Sequence, residues 1–157
     1  MNIFVLDSDP KVSAKMLCDK HVIKMILESC QILCTVAHGL KIPNVPYRAT
    51  HQNHPCTIWA SNNRANAKWL YEHLEEMCDE YTLRYQKTHK SSYFLPFFQD
   101  DLLPRMNPGT MTPFAQAMPE QYRNKDAVIA YRAYYVAEKQ TIATWKVPSF
   151  PPPWWTV

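Results

Sequence analysis

The chain has 157 residues, a formal net charge of +3, 46% hydrophobic and 20% charged residues, a composition that suits one globular domain around one core. With only 2 glycines it has no Gly-rich phosphate loop, which excludes dinucleotide-binding and P-loop functions, while the modest charge permits a nucleic-acid partner without demanding one. No apolar run approaches the roughly 20 residues of a membrane span, and the start, MNIFVLDSDPK, has no basic leader ahead of an apolar block, so the expectation is a cytoplasmic protein with no membrane partner, monomeric by default.

Residues 2–6 read as a short extended arm. Asp9-Pro10 then pairs a capping side chain with proline at the first helical position. From 10 to 38, Val12, Met16, Leu17, Val22, Met25, Ile26, Leu33 and Val36 fall mostly at three- and four-residue spacings, which predicts helix one, with Gly39 as its stop. Residues 40–53 form a loop containing Pro43 and Pro46. Helix two is predicted from Pro55 to about Lys87, on Ile58, Trp59, Trp69, Leu70, Leu74, Met77 and Tyr81. Residues 88–122 are irregular and broken by prolines. Helix three runs from about 124 to 145, on Val128, Tyr131, Tyr135, Val136 and Ile142, and the end, KVPSFPPPWWTV, reads as an extended strap. With no repeat and no boundary, residues 1–157 are expected to form one all-α domain of three main helices, long proline-rich loops and an aromatic tail.

Helix one is apolar over most of its circumference, so its polar residues are informative. His21, Lys24, Glu28 and Gln31 stand at i, i+3, i+7 and i+10, along one side. Such a stripe must be paired or must face a solvated cleft, because an unpaired buried carboxylate is costly. A plain exposed ion pair between Lys24 and Glu28 satisfies the pattern equally well. Asp19 points elsewhere and suits an orienting role. The five cysteines have no disulfide-like spacing, and Cys30 and Cys34 read as core filler. Cys18 with His21, and His51 with His54, offer ligands three apart, but neither CxxC pairs nor HExxH occur, so no metal site is expected. His51 and His54 stand where helix two begins, a natural seat for phosphate or sugar and equally for a structural cap. Arg64 on helix two, Tyr134 on helix three and Trp154 in the tail could contact nucleic acid, the two aromatics by stacking on bases.

Three blocks of sequence, in order, resemble the pyrimidine-dimer DNA glycosylases, the phage endonuclease V family. LCDKHVIKMILESCQILCTV is similar to the family's first helix, with Leu17, Asp19, His21 and, seven residues on, Glu28. THQNHPCTIW resembles the start of its second helix, through Asn53, His54 and Pro55. AMPEQYRNKDAVIAYRAYYVAEKQTIATW resembles its Pro-containing loop and third helix, followed by a Trp/Tyr-rich tail. The resemblance implies a compact helical domain that acts on DNA or a nucleotide and needs no metal or organic cofactor. It implies an α-amino group that attacks C1′ of a damaged nucleotide, an imino-sugar intermediate and β-elimination of the backbone phosphate. Carried over by position, Glu28 is the acid that supports the proton transfers, and His21 belongs to the site. Asn2 is large enough that Met1 is expected to be retained, which makes its amine the nucleophile. Lys24, Gln31, His51, Asn53, His54, Arg64, Tyr134 and Trp154 complete the expected substrate surface. Where the family has two DNA-binding arginines on this helix, the chain has Leu27 and Gln31. A transferase or glycosidase acting on a hypermodified pyrimidine or free nucleotide therefore stays open, as does a non-catalytic nucleic-acid-binding module.

Overall fold

A computed structural model describes residues 1–156, and the last residue of the predicted strap, Val157, lies outside them. Among the described residues there is no strand. The main helices are α1 (Pro10–Met16), α2 (Asp19–Gly39), α3 (Pro55–Ser61), α4 (Arg64–Tyr85) and α5 (Ala127–Glu138). Short helical turns fill Lys90–Arg105 and Glu120–Tyr122.

The all-α class stands, but each of the first two predicted helices is two. Predicted helix one breaks at Leu17 and Cys18, both extended and fully buried. No Gly or Pro marks the break, because a distant residue makes it. The Arg84 guanidinium, reaching from α4, donates to the carbonyls of Lys15 and Leu17 at 3.1 and 2.8 Å. These are the carbonyls that α1 leaves unpaired at its end. The Cys18 N–H donates to the Tyr135 hydroxyl at 3.0 Å. Predicted helix two breaks before Arg64, where Asn63 turns extended and its side chain accepts from the N–H of Asn66, a cap that competes with helix continuation.

Predicted helix three is shorter at both ends. Asp126 caps it by accepting from the N–H groups of Val128 and Ile129. Beyond Glu138 the chain turns away to become the strap, held by Asp19, whose carboxylate accepts from Thr144 Oγ1 at 3.1 Å and the Lys146 N–H at 2.9 Å. This gives Asp19 its orienting role.

The 21-residue α2 is the central element, and twelve of its residues are buried. Contrary to expectation, it is long and apolar enough to cross a membrane by length and composition, yet its apolar faces are occupied by the α3 and α4 packing of the protein's own core. The N-terminal arm is also core: Ile3, Phe4, Val5 and Leu6 are at most 4% exposed. An extended buried segment must find partners for its backbone. Ser13 Oγ supplies two, accepting from the Leu6 N–H and donating to the Phe4 carbonyl, and Arg132 Nε donates to the Leu6 carbonyl at 2.8 Å. The arm thus enters the centre of the fold and carries the chain start to the polar stripe of α2.

Candidate active site at the chain start

The Met1 amine lies 3.8 Å from Glu28 Oε2, and Lys24 Nζ lies 3.5 Å from Glu28 Oε1. Glu28 therefore stands between two amines. Lys24 is largely solvated, whereas the Glu28 side chain is only 13% exposed. Oε2 is buried and accepts no hydrogen bond. That oxygen is dehydrated and unbonded, yet it faces the terminal amine just beyond hydrogen-bonding reach.

The arm is fixed by a local turn. Asn2 Oδ1 accepts from the N–H groups of Ile3 and Phe4 at 2.8 and 3.1 Å, and Asn2 Nδ2 donates to the Ala117 carbonyl at 2.7 Å. Asn2 is itself buried. Phe4 sits at φ 41°, a left-handed conformation that a bulky residue adopts only when its surroundings impose it. Those surroundings are aromatic: its ring stacks on His21 with centroids 4.3 Å apart, while Tyr134 lies parallel on a 6.4 Å centroid distance.

His21 is therefore part of the arm's support, away from solvent. Its Nδ1 bonds the Tyr135 hydroxyl at 2.8 Å. Burial, helped by the charges of Lys139 and Lys24, pushes it down to about 4, so it is neutral near pH 7. His54 caps α3, its Nδ1 accepting from the Cys56 N–H at 3.1 Å. Burial lowers its affinity for protons, and so do the positive terminal amine and His51, against a smaller opposing pull from Glu28. Cys56, next to it, is pushed up to about 12 by burial and is no nucleophile.

The remaining expected residues divide. Gln31 lines a cleft of about 360 Å³ with Tyr47, Arg48, Ala49 and Thr50. His51 is exposed, with Nδ1 bonded to Thr50 Oγ1 at 2.7 Å. Asn53 is exposed just ahead of His54. Arg64 turns to another part of the fold, where its Nη2 donates to the carbonyls of Pro104 and Met106. Trp154 turns elsewhere too: it packs on Tyr135, lies under Arg132 at 5.3 Å and donates to Met16 Sδ, so the strap covers the end of α1. Tyr134 is half-buried between Phe4, Tyr122 and Lys139. Pro55, Phe114, Gln116, Arg123, Asn124 and Lys125 line an open cleft of about 670 Å³ with two cations in its wall. Sequence reasoning missed Asn2, Phe4 and Tyr135 as supports of the site. Only the Asn2 position carried a signal, a turn-forming side chain next to the amine. Among the described residues no three His, Cys, Asp or Glu side chains converge, so the Cys18/His21 and His51/His54 pairs stay separate.

A buried arm thus brings the chain-start amine close to a carboxylate on the central helix. The chain matches the family model described as pyrimidine dimer DNA glycosylase over residues 1–93, more than half its length, and it belongs to that family. The match spans the arm, α1 to α4 and the loop between α2 and α3, and thus Met1, His21, Lys24, Glu28, Gln31, His51, Asn53 and His54. Neither the curated proteins nor the solved structures yield a match.

Proposed function

We propose that the protein is a DNA glycosylase with lyase activity that acts on a damaged or modified pyrimidine nucleotide, with the Met1 amine as nucleophile and Glu28 as the acid–base group. The observation that carries this reading is the 3.8 Å approach of the amine to a buried carboxylate oxygen with no other partner. An α-amino group has a reference pKa of about 8 against about 10.4 for a lysine, so it reaches its nucleophilic form more readily.

The steps follow from that pair. Glu28 takes a proton from the ammonium, and the freed lone pair forms a bond to C1′. The glycosidic bond breaks, and the base leaves with the bonding pair and takes up the proton held by Glu28. The sugar ring opens at O4′, which takes the proton that the C1′-bound nitrogen loses as the C1′–N iminium forms. Loss of a proton from C2′ then drives electrons toward C3′, and the 3′ phosphate departs with its bonding pair. The negative Glu28 also stabilises the positive charge that develops at the sugar. Asn2 holds the backbone that carries the amine, and Lys24, Arg123 and Lys125 supply positive charge for the phosphates. None of these steps requires a metal or organic cofactor.

A second reading keeps the amine–carboxylate pair and changes the substrate to a hypermodified pyrimidine or free nucleotide. It is favoured by the neutral Leu27 and Gln31 beside Glu28, which give the α2 face little grip on a DNA backbone. Borohydride reduction in the presence of an abasic-site duplex tests the main reading. The expected result is a covalent protein–DNA adduct together with strand incision, and neither product would appear if the pair had no such chemistry.

A further inference from the structure

We infer that the cleft between α4 and the aromatic strap, lined by none of the residues assigned to catalysis above, docks a segment of another protein that carries apolar side chains flanked by lysine or arginine.

On α4, Glu76, Asp79 and Leu83 stand at i, i+3 and i+7, along one side of the helix. The strap runs beside them, and Pro148 and Phe150 close a cleft of about 530 Å³ against that side. The strap is pinned at two points. Asp19 accepts from the Lys146 N–H, and Ser149 Oγ donates to Glu80 Oε2 at 2.9 Å while it accepts from Arg84 Nε at 3.1 Å. Prolines at 148, 151, 152 and 153 restrict the backbone further.

The apolar residues here are left outside the core. Phe150 is 77% exposed, Leu83 52% and Val147 82%. The other aromatics of the strap behave differently: Trp145, Trp154 and Trp155 pack among themselves and on Tyr135. A pinned, proline-stiffened strap instead holds Phe150 out in water. An exposed aromatic at the mouth of a ready-made cleft, rimmed by polar groups, is the form that interface anchors take.

Charge decides the occupant. Residues 72–80 hold five carboxylates and no lysine or arginine, in a chain whose net charge is +3. At the cleft, Arg84 answers Glu80, and the largely solvated Lys15 reaches Glu76 at 3.6 Å. Asp79 is exposed and has no ion-pair partner among the described residues. A nucleic-acid backbone is repelled by this wall. A second copy docked by two-fold symmetry sets one acidic wall against another. A cationic segment meets neither cost. Its lysines face Asp79 and Glu76, and its apolar side chains settle between Leu83 and Phe150, as an amphipathic helix lies in a groove.

The probe is a fluorescein-labelled amphipathic model helix of leucine and lysine, titrated with the full chain and read by fluorescence anisotropy. Two controls replace its lysines by glutamate or its leucines by serine. The leucine–lysine helix is expected to bind, and each control to bind at least about tenfold more weakly. Phe150→Ser and Asp79→Lys, at exposed positions where the fold has little to lose, are each expected to weaken the leucine–lysine helix by about tenfold or more. No binding overturns the assignment. So does equal binding of either control, and so does a leucine–lysine helix that binds either variant as tightly as wild type. The rival occupants are read in two further arms. Wild type sedimenting as a dimer and Phe150→Ser as a monomer gives the cleft to a second copy, and a Phe150→Ser that loses affinity for a DNA duplex gives it to nucleic acid. Either result overturns the proposal.

Discussion

Replacing Glu28 by glutamine keeps the shape of the side chain and removes its charge. Two consequences can be sized separately. The pair with Lys24, at i,i+4 with the lysine 70% exposed, contributes only about 0.3–0.5 kcal/mol to stability. The pair with the Met1 amine at 3.8 Å has a direct attraction of about 4 kcal/mol at an effective dielectric constant of about 20. Most of that is offset by dehydration of an oxygen that accepts no hydrogen bond. Stability therefore changes by no more than about 2 kcal/mol in either direction. The chemistry loses its proton acceptor, which is worth about 10²–10⁴ in rate, or about 3–5 kcal/mol of barrier. Single-turnover incision of an abasic-site duplex measures the second quantity, and urea denaturation measures the first. Glu28→Gln is expected to stay folded and to incise at least about a hundredfold more slowly. Incision within about fivefold of wild type would refute the assignment of Glu28 as the acid–base group.

Adding one glycine ahead of Met1 converts its amine to an amide and moves the free amine one residue away, about 3.8 Å between Cα atoms; misplacement on that scale is expected to reduce single-turnover incision at least about a hundredfold, and wild-type rates would contradict the role of the terminus. Arg84→Met removes a fully buried guanidinium that serves Glu80, Asp19, Ser149 and the carbonyls of Lys15 and Leu17, and urea denaturation should show a loss of about 3–5 kcal/mol. His21 and His73 are both pushed down by burial from 6.5 to about 4, so below pH 6.5 the unfolded chain binds protons that the folded chain does not. Stability should hold steady above that pH and fall by about 1.4 kcal/mol per pH unit for each histidine between pH 6.5 and 4. Urea midpoints unchanged from pH 7.5 to pH 5 would contradict this.

The apolar periodicity of 10–38, 55–87 and 124–145 was enough to read the all-α class and the order of the helices. The break at Leu17 and Cys18 was not legible, because Arg84, sixty-odd residues away, satisfies the carbonyls that end α1; a local pattern cannot show a tertiary cap. The break before Arg64 had a local signal in its two successive asparagines, outweighed by the apolar stripe that continues across it. Of the site, the stripe His21, Lys24, Glu28 and Gln31 was visible as helical spacing, but spacing does not say which member faces solvent. His21 is stacked inside on Phe4 while Lys24 is in water. The arm read only as a short extended segment, and its burial depends on Ser13, Arg132 and Asn2 supplying its backbone partners. The strap was read as a possible stacking surface, but Trp154 is committed to Met16, Tyr135 and Arg132, contacts that come from chain ends distant in sequence.

Two amines flank Glu28, and only one of them is the proposed nucleophile. Borohydride-trapped adduct with an abasic-site duplex, digested and mapped by mass spectrometry, assigns the attacking nitrogen directly. The sugar remnant is expected on the α-amino group of Met1. Its appearance on the side chain of Lys24, or on any peptide other than the first, would contradict the account.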